Sequence, residues 1–114
     1  MGRKKGGSTT APVVTSPTIH EATRGSGGAV VKGAQLTQAQ AEARRKAGLD
    51  VVVCGPSITA NSALAQAIEA NANGQWKRCP PHANAGPRAL PHYQPDPRGP
   101  DGHTFYETPN RKAV

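Results

Sequence analysis

The run Asp50-Val51-Val52-Val53-Cys54 constrains this chain more than any other stretch. Three β-branched residues in succession suit no exposed helix, so the run reads as a buried strand. Both flanks read as helical. Thr37-Gln38-Ala39-Gln40 has the form of a capping box, with Leu36 and Ala41 placed as its hydrophobic staple. The helix it starts runs through Glu42, Arg44, Arg45 and Lys46, whose charges suit a helix C-terminus, and stops at Gly48. After Gly55-Pro56, Ser57 or Thr59 caps a second helix that Gly74 closes. Its apolar face carries Ala60, Leu64, Ala67 and Ile68, and its wet face Asn61, Ser62, Gln66 and Glu69.

Little else is available to bury. Leu, Ile, Val and Phe total 16 of 114 residues, against 24 Gly and Pro, so one small ordered domain with long irregular segments is expected. Residues 1–35, rich in Gly, Ser, Thr and Pro, read as a flexible linker or N-terminal extension. Residues 36–110 form the domain and 111–114 a tail. The fold expected is α+β: two short N-terminal helices packed on a small antiparallel sheet, behind the flexible segment. The net charge of +7 gathers in residues 1–35 and 76–114 and reads either as a solvated basic surface or as the mark of a polyanion partner: RNA, DNA or an acidic protein. Val51–Cys54, the longest apolar run, is far too short to span a bilayer. Arg3-Lys4-Lys5 has no apolar stretch behind it to form a signal peptide. Cys54 and Cys79 are too few for a disulfide framework.

Chemistry concentrates between Pro91 and Glu107. Pro91-His92-Tyr93-Gln94-Pro95 and Gly102-His103-Thr104-Phe105-Tyr106-Glu107 read as short strands, with Asp96, Arg98 and Asp101 between them. A zinc site from Cys79, His82, His92 and His103 is weakened by Pro80-Pro81 filling the only tight pair. Magnesium wants more carboxylates than this stretch holds. Metal-free acid–base chemistry fits better, with no cofactor. Histidine titrates near neutrality, so one ring can take a proton while another gives one. Cleavage of RNA by its own 2′-hydroxyl needs such a pair and a cation for the charge on phosphorus. His92 and His103 are the candidate pair, Arg98 or Arg88 the cation, and Tyr106 a catalytic hydrogen-bond donor. Tyr93 can stack on a base and Thr104 orient a phosphate oxygen. Trp76-Lys77-Arg78, one flat ring beside two cations, reads equally as a nucleotide or partner contact and as a ring covering the thin core. Alternation in a strand puts His103 and Phe105 on one face, Thr104 and Tyr106 on the other.

Residues 36–110 resemble a C-terminal toxin domain of bacterial polymorphic toxins of the Rhs, PAAR or contact-dependent effector type. Leu36-Thr37-x-x-Gln40-Ala41, the Asp50–Gly55 strand, Pro91-His92-Tyr93-Gln94-Pro95 and Gly102-His103-Thr104-Phe105-Tyr106 carry the resemblance. It implies a domain of a larger parent effector, delivered by a secretion system to the target-cell cytoplasm and neutralised by a cognate acidic immunity protein. Its implied activity is a metal-independent, barnase- or colicin-like ribonuclease acting on RNA, tRNA included. Such toxins often carry a further histidine where this chain has Gln94, so His92 would serve in its place. The alternatives are a nucleotide-dependent transferase toxin, a metal-dependent DNA nuclease toxin, and a module that binds nucleic acid or an acidic partner without catalysis.

Overall fold

The computed structural model describes residues 16–81, 88–97, 99 and 101–114. Strands β1 (Thr18–Arg24) and β2 (Val30–Leu36) form a hairpin closed by a short 3-10 turn, Ser26–Gly28. Helix α1 (Gln38–Lys46) leads to β3 (Val51–Cys54), and helix α2 (Ile58–Asn73) to β4 (Trp76–Cys79). Strands β5 (His92–Pro95) and β6 (Thr104–Tyr106) complete one six-stranded sheet, in the order β2-β1-β3-β6-β5-β4.

The α+β class is as expected, but the sheet is neither small nor wholly antiparallel. Its central pair, β3 and β6, runs parallel, with Val51, Val52 and Val53 opposite Thr104, Phe105 and Tyr106. The expected linker is also corrected. Residues 1–15 of it lie outside the described residues, but Thr18–Arg24 and Val30–Gln35 are paired strands. The physical reason is the exposed flank of β3: Val51, Val52 and Val53 are fully buried, and β1 covers that flank by antiparallel pairing. Nor do residues 111–114 form a tail. Val114 donates its N–H to the Val30 carbonyl (2.8 Å) and accepts from Lys32 (3.0 Å), and Ala113 packs on the core.

Both helices begin where side chains supply the missing acceptors. Thr37 Oγ1 accepts from the Gln40 N–H (3.1 Å) while Gln40 Oε1 accepts from the Thr37 N–H (2.9 Å), the expected capping box. Ser57, not Thr59, caps α2. One core layer lies between the helices and the sheet, built on Ala41, Val51, Val53, Ala65, Ile68, Tyr93 and Tyr106. The opposite face holds a second cluster of Val52, Cys54, Leu90, Phe105, Ala22 and Val30. Each buried valine of β3 contributes about 1.5–3 kcal/mol by leaving water.

The wet face expected of α2 is half wrong: Asn61 and Glu69 are fully buried, each with buried partners. Asn61 Nδ2 donates to the carbonyls of Gly55 (2.9 Å) and Glu107 (3.1 Å). Glu69 forms an ion pair with fully buried Arg45 (2.9 Å) and accepts from Thr104 Oγ1 (3.0 Å). Arg45 Nη1 also donates to the carbonyls of Leu49 and Asp101, both at 3.0 Å. The network ties both helices to the segment that leads into β6.

Gly102 shows how tightly that segment is held. Its φ is +93°, and a Cβ there would sit 2.9 Å from the Gly48 carbonyl oxygen and against the Arg45 guanidinium. Gly102→Ala is expected to destabilise the fold by about 1–3 kcal/mol, since strain and overlap add. A urea midpoint equal to wild type would show that the segment adjusts at no cost.

Candidate functional site

The site begins with three strand ends that the topology sets side by side. Arg24 ends β1, Asp50 precedes β3, and His103 precedes β6. Backbone bonds fix their alignment: Ala22 N–H donates to the Asp50 carbonyl and Val51 N–H to the His103 carbonyl, both at 3.2 Å. Asp50 Oδ1 accepts the His103 backbone N–H at 2.8 Å, and Oδ2 accepts from Arg24 Nε at 3.2 Å. Arg24 Nη2 in turn donates to His103 Nδ1, and Asp50 Oδ1 lies 3.6 Å from the same nitrogen. His103 thus has a donor and a carboxylate at one ring nitrogen.

Strand β5 brings the second histidine. His92 pairs opposite Phe105, on the face that His103 shares. The two imidazoles meet edge to face, with centroids 4.3 Å apart at 77°. Phe105 touches both, edge to face with His92 at 5.5 Å and tilted against His103 at 5.3 Å, and the Arg24 guanidinium lies 5.7 Å over its ring. His92 is 1% exposed, the His103 side chain 11%, and the Arg24 side chain 55%. Leu90 and Val30 help to close a cavity of about 80 Å³ at these groups.

Burial raises the Asp50 pKa, but the His103 side-chain bond, the Arg24 charge and the His103 backbone N–H outweigh it and leave the carboxyl below its ordinary 3.8. A carboxyl depressed by folding stabilises the native state above its unfolded pKa, and that contribution is lost as pH falls through the folded value. Stability therefore drops below about pH 4 partly through Asp50. Asp50→Asn is expected to be less stable at pH 7 and to show a shallower loss on acidification. Equal acid slopes in urea titrations at several pH values would remove Asp50 from this role.

The sheet divides the other candidates from the histidines. Tyr93 pairs opposite Thr104, so Tyr93, Thr104 and Tyr106 all face the helices. Tyr106, expected to be catalytic, therefore lies across the sheet from both rings. Burial raises its phenol pKa, against a smaller opposing effect of the Ser62 hydrogen bond. Thr104 is fully buried with its hydroxyl given to Glu69, which leaves it nothing for a phosphate. Tyr93 and Ser62 hydroxyls bond at 2.7 Å. Trp76 and Arg78 share the Tyr93 side of edge strand β4, and Lys77 points to the other. Arg88 is exposed and does not line the histidine cavity. Arg98 lies outside the described residues, as does His82 of the zinc set weighed above. Among the described residues no three His, Cys, Asp or Glu side chains group as a metal site would require.

Strand alternation thus joins His92 to His103 and separates both from Tyr93, Thr104 and Tyr106. The cation beside the pair is Arg24, and the orienting carboxylate is Asp50. Neither was in the expected site, because each sits far from Pro91–Glu107 in sequence. Comparison with known proteins adds no relative: no family model, curated protein or solved structure matches the chain.

Proposed function

We propose that this chain cleaves RNA by metal-independent acid–base chemistry centred on His103, as the toxin domain of a larger secreted effector. The observation that carries the reading is the double partnership at His103 Nδ1. Arginine is only a donor and a carboxylate only an acceptor. With Nδ1 protonated, the ring bonds Asp50 and presents an Nε2 lone pair as base. With Nδ1 deprotonated, it accepts from Arg24 and carries its proton on Nε2. The Nδ1–H ring and the imidazolium it becomes on taking a proton both keep the Nδ1 proton on Asp50, so the two states that proton transfer requires share that partner, and the Arg24-bonded tautomer is the resting form.

The expected two-histidine scheme changes in one respect. Rings with centroids 4.3 Å apart are in contact, so no phosphoryl group fits between them. His92 buttresses His103 rather than acting from the opposite side of phosphorus. In the reaction proposed, His103 Nε2 takes the 2′-hydroxyl proton, O2′ attacks phosphorus, and the bond to the 5′-oxygen breaks. Water protonates the departing 5′-oxygen, and the imidazolium returns its proton to solvent. The products are a 2′,3′-cyclic phosphate and a 5′-hydroxyl. Arg24, more than half exposed, supplies the charge that stabilises the pentacoordinate phosphorus. In this reading the partners are RNA, an acidic immunity protein and the parent effector, and the place of action is the target-cell cytoplasm.

Total RNA incubated with the purified chain in EDTA tests the proposal. Fragments with cyclic-phosphate ends are expected, together with growth arrest on expression in bacteria. Intact RNA with wild-type protein, or cleavage unchanged in His103→Ala, would sink it. One observation favours a second reading, a polyanion-binding module without catalysis: the cavity beside the histidines is only about 80 Å³. That reading requires RNA to be bound and left whole.

A further inference from the structure

Two concavities lie on the helix side of the sheet, away from the histidines. One cleft of about 420 Å³ runs between α2 and the β4–β5–β6 surface, lined by Thr59, Ser62, Gln66, Arg78, Tyr93 and Tyr106 among others. A second, of about 480 Å³, adjoins it along β4 and is bordered by Cys79, Pro80, Pro81 and Pro91. Ile58, Arg78 and Tyr106 line both, so Arg78 stands at their junction. Each volume falls in the range of about 300–1,000 Å³ usual for small-ligand clefts.

We infer that these two clefts hold successive nucleotides of a single-stranded nucleic acid, with the connecting phosphate on Arg78. The chemistry of the lining selects that ligand. Arg78 is exposed on an edge strand, and no carboxylate lines either cleft among the described residues. A guanidinium so placed suits a phosphodiester, which it can grip with two parallel bonds. Tyr93 and Tyr106 line the cleft from within the core, only 3% and 5% exposed, whereas Trp76, which packs on Tyr93 at 5.3 Å, is 37% exposed. Trp76, on the same strand face as Arg78, therefore supplies the exposed aromatic surface beside a cation on which an unpaired base stacks, whatever its identity. Thr59, Ser62 and Gln66 bring side-chain donors and acceptors to the cleft wall, where base edges and sugar hydroxyls need them. The proline-bordered cleft offers flat apolar surface for the next base. A mononucleotide would fill one cleft and leave its neighbour empty, so the paired arrangement favours a strand.

The inference does not rest on the cleavage reaction, and its test avoids that reaction. Trp76 is the only tryptophan and sits against Tyr93, so its emission reports on the cleft. The ligand is a 2′-O-methylated ApA dinucleotide, which lacks the attacking hydroxyl. It is expected to quench Trp76 saturably and to bind at least about tenfold more tightly than adenosine 5′-monophosphate. Arg78→Ala is expected to weaken it about tenfold or more, the size of a lost charge-assisted contact, and His103→Ala to leave it unchanged. Gln66→Ala gives a second, milder variant, with a loss of a few-fold. The inference is overturned if the dinucleotide gives no saturable change at millimolar concentration, or if it binds no more tightly than the monophosphate. Wild-type affinity in folded Arg78→Ala also overturns it. So does loss of binding in folded His103→Ala, which would move the nucleotide to the opposite face.

Discussion

Replacing His103 with alanine is expected to lower the rate of RNA cleavage by about 10²–10⁴-fold, the usual loss on removing a general acid–base group. The Arg24→Ala loss is expected to be about 10²–10³-fold, because a preorganised charge at the reacting phosphorus is removed. The two differ in their pH dependence. With Arg24 absent, a cation beside the His103 ring is lost while Asp50 stays, the ring holds its proton more firmly, and the acidic limb of the profile, set by protonation of the base, moves to higher pH. His92 supplies the internal control. If it acts by packing against His103 and Phe105, then His92→Phe keeps a flat ring in contact with both and retains most of the activity. His92→Ala leaves a cavity beside His103 and loses more. Equal loss in His92→Phe and His103→Ala would return His92 to a proton-transfer role and refute the single-histidine scheme. Rates on total RNA in EDTA for these four variants, with folding checked by circular dichroism, separate the outcomes.

Why half of this site was legible and half was not follows from range along the chain. His92 lies on β5 and His103 just before β6, eleven residues apart, and period-2 alternation alone states which neighbours share their face. The same rule read strictly would have removed Thr104 and Tyr106 from the His103 face. Arg24 and Asp50 reach the site through sheet order, and sheet order is not written locally. The first strand is also hard to see. Ile19 packs on the helix side and Ala22 on the other, so no apolar i, i+2 repeat appears, and its pairing with β2 is interrupted between His20 and Ala22. Strand β2 buries only Val30 of its seven residues. Both strands consequently resemble a polar linker, although β1 covers one flank of the most apolar strand in the molecule. The parts that were legible carry local signals: β-branching in β3, the capping box at Thr37, and the Ser57 cap after Gly55-Pro56. Burial of charge has no local signal at all: the pattern that puts Glu69 on a wet face says nothing of Arg45, 24 residues away along the chain.

That buried pair sets the largest stability effect expected in the chain. Arg45→Met removes the only cation in contact with Glu69 among the described residues and leaves a carboxylate buried with Thr104 and Asn73. Breaking a buried pair from one side costs about 3–5 kcal/mol. A domain of ordinary stability has about 5–15 kcal/mol in total. Arg45→Met should therefore shift the urea midpoint drastically or unfold the chain at 37 °C. Arg45→Met combined with Glu69→Leu removes both charges, and apolar replacement of a buried pair is often neutral or better. The double variant is thus expected to recover much of the lost stability, although Thr104 and the Asp101 carbonyl lose partners in it. Activity should recover less than stability. Arg45 anchors Asp101 and Glu69 anchors Thr104, the residues two before and one after His103, so a refolded double variant still holds His103 loosely. Full stability with reduced cleavage in the double variant would mark the pair as positioning residues for His103. Full recovery of both would make it a device of the fold alone. An unchanged midpoint in the single variant Arg45→Met would show that the ion pair contributes nothing to stability, and the network would then hold nothing in place.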